Sequence, residues 1–186
     1  MRGIASSFPD TYTEIPTAEL LHAFEAGPAR LKLATVGLSA AERTARPIPG
    51  KWSINELILH VVDSELMGAS RVRLAFTSPG TPVAGYDQAR WATMFDYQDA
   101  TDTDVREAFV LFEALRRHSL NVFMRLTPRE WTDAHVEHPE HGPVSLRNLL
   151  ELYADHSERH VAQVLARREL LGRPLELPCL LPGRLY

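Results

Sequence analysis

The chain has 186 residues, 45% hydrophobic and 24% charged, with a formal net charge of −4. That balance fits one ordinary globular domain, 1–186, large enough to bury a core without staples. The slight acidic excess, with no run of like charges to form a basic arm, argues against a nucleic-acid partner. A single cysteine, Cys179, excludes an internal disulfide and carries no activating neighbour in sequence. The first residues, MRGIASSFPDTYTEIP, lack a signal-peptide core, and no stretch approaches the roughly 18 apolar residues of a membrane span. The expectation is a soluble cytoplasmic protein with no membrane partner.

The first predicted helix runs from about Thr17 to Gly37, with Leu20, Leu21, Phe24, Leu31 and Leu33 as its apolar face and a kink or break expected at Gly27-Pro28. A short turn of helix is predicted at Leu38 to Glu42. The second helix starts at Ser53, where Ser53-Ile54-Asn55-Glu56 reads as a capping box, and continues to about Phe76. Val83 to Gln98 reads as a long loop with one helical turn near Asp87–Met94, and long loops in compact domains are often functional. The third helix covers about Thr103 to Leu126, and Pro128 opens a one-turn helix after it. A polar loop is expected from Asp133 to Pro143. The fourth helix runs from Ser145 to about Leu171 and is stopped by Gly172 and Pro174. The remainder, about 173–186, is expected to pack as a coil tail. No strand is expected, and four helices joined by loops of these lengths imply an all-α four-helix bundle.

Eight histidines are the unusual feature. His156 and His160 lie four apart on the fourth helix, so they share one face and continue the apolar stripe of Leu146, Leu149, Tyr153 and Val164. Burying an unpaired polar ring costs on the order of 1–3 kcal/mol, and one metal ion would satisfy both imidazoles. His60, inside the apolar run Leu57-Ile58-Leu59-His60-Val61-Val62, is the best third ligand. Three protein ligands with one position open is the layout of a catalytic zinc site. Ser157 follows His156 where a zincin helix would need glutamate, so this is not a zincin metalloprotease helix. Asp63, one turn after His60, reads as a base near the metal, a partner to a ligand, or an ordinary solvated or ion-paired carboxylate. Asp155 and Glu158 read as surface charges, His135, His138 and His141 as solvated loop residues, and His22 and His118 as helix-surface residues.

Several of these segments resemble a known group. Pro49-Gly50-Lys51-Trp52-Ser53-Ile54-Asn55-Glu56 leading to His60 and Asp63, Arg71, Tyr86-Asp87, Trp91, the loop His138-Pro139-Glu140 with Gly142, and Tyr153 to His160 resemble, in order, the DinB/YfiT-like superfamily. The resemblance covers roughly 17–172. It implies a four-helix bundle holding one divalent metal ion, zinc or nickel, through His60, His156 and His160, and a homodimer. The YfiT branch carries the provisional label of metal-dependent hydrolases. Related members join low-molecular-weight thiols such as bacillithiol or mycothiol to electrophiles. The sequence departs from the branch at Asp155, where an aromatic is usual, and at Glu65-Leu66, where polar residues are usual; both departures bear on the second-substrate pocket.

Three functions follow as expectations. The first is a metal-dependent transferase joining a small-molecule thiol to an electrophile. Asp63 would take the thiol proton, Arg71 would bind a carboxylate of the cosubstrate or act as an ion-pair partner, and the electrophile would sit beneath the Tyr86–Trp91 loop. The second is a metal-dependent hydrolase, in which the same site lowers the pKa of bound water toward about 7 and hydroxide attacks. The third is a metal-binding stress protein without turnover.

Overall fold

A computed structural model describes residues 14–181; the first part of the MRGIASSFPDTYTEIP segment and residues 182–186 of the expected tail lie outside the described residues. The chain forms α1 (Thr17–Thr35), α2 (Ala40–Thr44), α3 (Ile54–Thr77), β1 (Thr81–Pro82), α4 (Gln88–Met94), α5 (Asp102–Phe123), α6 (Glu130–Asp133), β2 (His135–His138), β3 (Gly142–Ser145) and α7 (Leu146–Leu170). A turn of 3₁₀ helix at Tyr97–Asp99 joins α4 to α5. The four long helices, α1, α3, α5 and α7, make the four-helix bundle.

Local chemistry sets the helix starts. Ser53, Thr101 and Ser145 each cap a long helix, the side-chain oxygen accepting the amide three residues on while that residue's side chain reaches back. Pro16 precedes α1 without a side-chain cap. The expected break at Gly27-Pro28 is absent: α1 is one helix with Pro28 inside it. Pro28 has no amide hydrogen, so the carbonyl of Phe24 loses its helical partner. The buried guanidinium of Arg116 replaces it, Nη1 donating to Phe24 O at 2.6 Å. Gly27 keeps the approach of α7 close, because a Cβ there would lie 3.0 Å from Ser157 Oγ.

Two apolar layers fill the bundle. One joins Leu20 and Phe24 of α1, Val72 of α3, Phe123 of α5 and Leu149 of α7. The other joins Leu31 of α1, Ile58 of α3, Phe112 of α5 and Val164 of α7. The N-terminal halves of α1 and α7 therefore share one end with the C-terminal halves of α3 and α5. The packed neighbours α3 and α5 run in the same direction, and a short turn cannot join parallel helices. The segment between them, 78–101, has to travel back along the bundle, which is why it is long. Between the layers, Arg116 Nε lies 2.7 Å from Glu65 Oε2, both side chains almost fully buried. Arg116 also donates to Tyr153 O and Ser157 Oγ.

The expectation of no strands is corrected. β2 and β3 pair antiparallel, with Val136 opposite Val144, and β1 adds to β2 in parallel, Thr81 opposite Val136. Each hairpin strand sends only one valine, Val136 or Val144, fully inward. Two or three polar residues around one buried valine give no alternation long enough to register in sequence. Gly142, with φ +66°, takes the left-handed conformation that turns the hairpin.

After α7 the described part of the tail has no regular structure but is anchored. Leu181 is buried, Arg30 donates to Pro178 O at 2.6 Å, and Leu180 N donates to Glu158 at 3.0 Å.

Candidate metal centre

The capping box at Ser53 fixes the start of α3, and with it the register that turns His60 toward α7. The four-residue spacing on α7 does the same for His156 and His160. The three rings meet: Nε2 of His156 lies 3.1 Å from Nε2 of His60 and 3.1 Å from Nε2 of His160. One ligand atom from each lies within 4.8 Å of the other two. Trp52 packs on the His60 ring, with centroids 4.8 Å apart.

Burial controls the charge of this cluster. It lowers the pKa of His60 to about 4 and, with the electrostatic effect of His60 added, that of His160 to about 3. His156 is also pushed well down, by burial first and then by the two neighbouring rings. All three imidazoles are therefore neutral at neutral pH, the form that ligates metals. His160 Nδ1 lies 3.1 Å from Gln163 Oε1. A hydrogen bond there puts the His160 proton on Nδ1 and leaves its Nε2 lone pair facing the other two rings. His60 Nδ1 is buried without a hydrogen-bond partner among the described residues. Three neutral nitrogen donors converging within coordination range could hold one divalent transition-metal ion.

Two cavities share His156 and Gln88. The larger, about 650 Å³, is lined by all three histidines with Trp52, Leu57 and Arg167. The smaller, about 320 Å³, lies between α3, the start of the 78–101 segment and the hairpin, and is lined by Ser64, Arg71, Tyr86, His138 and His141 beside His156.

With this geometry in hand, comparison with known proteins is informative. The sequence model of the DinB superfamily matches residues 23–164. The chain belongs to the DinB superfamily. A relative in Oceanobacillus iheyensis, provisionally named a metal-dependent hydrolase, is 26% identical over 157 residues, covering 84% of this chain and 88% of its own. Another in Halalkalibacterium halodurans, with the same provisional name, is 28% identical over 137 residues, covering 74% and 77%. Among solved structures, YfiT from Bacillus subtilis, described as a probable metal-dependent hydrolase with an unusual four-helix bundle topology, superposes with a TM-score of 0.80 at 22% identity, over 91% of this chain and 95% of YfiT. A mycothiol-dependent maleylpyruvate isomerase superposes with a TM-score of 0.65 at 17% identity, over 83% of this chain and 62% of the isomerase. At these identities the two structures establish the fold.

The DinB fold distributes the other expected residues unevenly. Arg71 is buried and lines the smaller cavity; Nη1 donates to Tyr153 Oη at 3.1 Å and Nη2 to Ala84 O at 2.9 Å. Asp63 lines neither histidine cavity. It lies in a groove with Leu66, Trp91 and Tyr97, and accepts a hydrogen bond from the Tyr97 hydroxyl. Burial raises its pKa, against the lowering effect of that hydrogen bond. Tyr86 lines the smaller cavity and packs on Trp91, ring centroids 4.7 Å apart.

Two readings change. Asp155 and Glu158 are buried rather than surface charges. Asp155 pairs with Arg159, and Glu158 takes both Nε and Nη2 of Arg30, at 2.5 and 2.9 Å. Both lie on the parts of α7 that α1, the tail and their own helix cover, which one helix's periodicity does not reveal. The three loop histidines are not solvated: His135 is half-buried on β2, its Nδ1 2.8 Å from Asp133 O, and His138 and His141 are half-buried in a cavity wall with their rings stacked 4.7 Å apart. Their three-residue spacing was visible; their position opposite Arg71 was not. His22 and His118 are exposed, as expected. Cys179 is an exposed residue of the tail whose thiol is partly covered, donating to Leu181 O, and that partial burial raises its pKa.

Proposed function

We propose that this DinB-superfamily chain is a metal-dependent transferase that joins a low-molecular-weight thiol to an electrophilic small molecule, with His60, His156 and His160 holding one zinc or nickel ion. The convergence of three neutral imidazole nitrogens carries the reading. When bound, the metal supplies the charge that keeps a ligating thiol in its thiolate form at neutral pH.

The chain's own residues have separate tasks. Gln163 fixes the His160 tautomer, and Trp52 walls the larger cavity against water. Two cavities meeting at His156 give room for two reactants, which suits transfer between a thiol and a second molecule better than attack by water on one. Arg71 orients a reactant in the smaller cavity. Asp63 is the proposed final acceptor of the thiol proton: it lines neither cavity, so the proton would pass to it through solvent, and burial raises its affinity for it. Carbon–sulfur bond formation then expels a leaving group with its electron pair. A homodimer, which rests on the resemblance, and a cytoplasmic location, which rests on the sequence reading, belong to the same proposal.

Hydrolysis is the second reading, favoured by the provisional names of the relatives. One pair of measurements separates them. Metal content is determined for the parent and for His60→Ala and His156→Ala; near one equivalent in the parent, lost in both variants, is expected. Conjugation of 1-chloro-2,4-dinitrobenzene, with release of chloride, is then followed across a panel of thiols. Turnover that requires both metal and thiol supports transfer. Ester or amide cleavage without any thiol would replace it with hydrolysis, and a parent that takes up neither zinc nor nickel would remove both.

A further inference from the structure

Arg71 is one of four buried arginines among the described residues, with Arg116, Arg167 and Arg168. Arg116 faces Glu65. Arg167 and Arg168, with no carboxylate within ion-pair distance among the described residues, are taken up by carbonyls: those of Trp52 and Gln163 for Arg167, and those of Ala34, Val36 and Arg173 for Arg168. Arg71 differs from these two in a buried Nε that no acceptor reaches among the described residues. Arg71 is 6% exposed and has no carboxylate within ion-pair distance among the described residues. Among the described residues two of its five N–H donors find acceptors, a phenol and a carbonyl, and its buried Nε finds none. A buried cation without a counter-ion is costly. This one lines a cavity that also contains a face of His156.

The rest of that cavity fits a small anion. Ser64 and Tyr86 bring hydroxyls, and His138 and His141 bring rings from the hairpin. The acidic groups in the wall, Asp87 and Glu140, are both exposed at its solvent side, and Asp87 is engaged in capping Arg90 N. Positive charge therefore lies deep and negative charge at the rim. A volume of about 320 Å³ suits a compact molecule rather than a large one.

We infer that this cavity is the subsite of a carboxylate-bearing reactant, whose carboxylate is the missing counter-ion of Arg71 and whose reach is limited by Tyr86 and His138. A planar guanidinium with free donors matches a carboxylate better than a halide or a neutral amide. The inference rests on the proposed two-reactant centre for its role in the reaction, but the binding it describes does not need the metal. The carboxylate could belong to the thiol or to the electrophile.

The test uses the full chain stripped of metal, in which no turnover complicates binding. Calorimetry compares 3-mercaptopropionate with 3-mercaptopropanol, and 4-chloro-3,5-dinitrobenzoate with 2-chloro-1,3-dinitrobenzene. One acid is expected to bind about ten-fold or more tightly than its uncharged counterpart, the worth of one charge-assisted contact. Preference within the thiol pair assigns the carboxylate to the thiol, and preference within the aromatic pair assigns it to the electrophile. Arg71→Met is expected to abolish the preference and Arg71→Lys to keep part of it. Ser64→Asp, which supplies a tethered carboxylate and leaves Arg71 in place, is expected to abolish it too, and serves if Arg71→Met fails to fold. Equal binding within both pairs, or a preference that survives Arg71→Met and Ser64→Asp, overturns the inference. If the preference holds while the parent takes up no metal, the transferase reading falls and the subsite stands.

Discussion

Replacing His60 by glutamine should change how the metal-free protein responds to acid. His60 has an ordinary pKa of 6.5 when exposed and about 4 in the fold, because burial disfavours its charged form. The unfolded chain therefore binds a proton that the folded one refuses between these values. The folded state is favoured above pH 6.5, loses stability as pH falls, and reaches a constant penalty below pH 4. Between pH 7.5 and 5.0 the linkage amounts to about 2 kcal/mol for one such histidine. His160, lowered to about 3, contributes about the same over that window, and His156 acts in the same direction. Asp63 and Glu65, whose folded pKa values are raised, act oppositely, so the informative quantity is the difference between variants rather than the absolute loss. Urea unfolding of the chelated parent and of His60→Gln, each at pH 7.5 and 5.0, measures it. The parent should lose about 2 kcal/mol more than the variant over this interval. Losses equal within about 0.5 kcal/mol would refute a buried, neutral His60.

Other perturbations probe the frame around the centre. Glu65→Ala leaves the Arg116 cation buried beside Phe24 and should cost about 3–5 kcal/mol in urea unfolding, with much of it recovered in Glu65→Ala/Arg116→Met; a cost below about 1 kcal/mol would show the pair to be idle. Gly68→Ala would set a Cβ 2.4 Å from the Tyr153 ring, so about 1–3 kcal/mol of stability should be lost on thermal or urea unfolding. Gln163→Ala removes the partner of His160 Nδ1 and should weaken metal affinity about ten-fold, read by chelator competition, while leaving stoichiometry unchanged. Unchanged affinity would mean that Gln163 does not hold the ring.

The long helices were legible because each carries its own start signal and a repeating apolar face. Ser53 and Ser145 mark where α3 and α7 begin, and a helix of known start fixes the direction of every later side chain. That is why His60, His156 and His160 could be singled out as a group on two inward faces before any contact was known. Pro28 misled because its local effect is real: it does remove a helical hydrogen bond. Only Arg116, on a helix far along the chain, supplies the replacement that keeps α1 whole.

The sequence alone determined the four long helices, most of their core faces (Leu33, expected inside, is exposed) and the inward direction of three histidines, because those depend on spacing within one helix, whereas the meeting of His60 with His156 and His160 depends on how α3 packs on α7. The tertiary structure alone decided what depends on the facing element. It made α3 and α5 parallel, so that the 78–101 segment returns along the bundle and brings Tyr86 to the centre. It placed the hairpin with His138 and His141 over Arg71, and it buried Glu158 under Arg30 of α1 and the tail, neighbours its own helix cannot predict. Burial is a property of the packed assembly. A side chain's spacing says which way it points, and only its neighbours say whether water remains there.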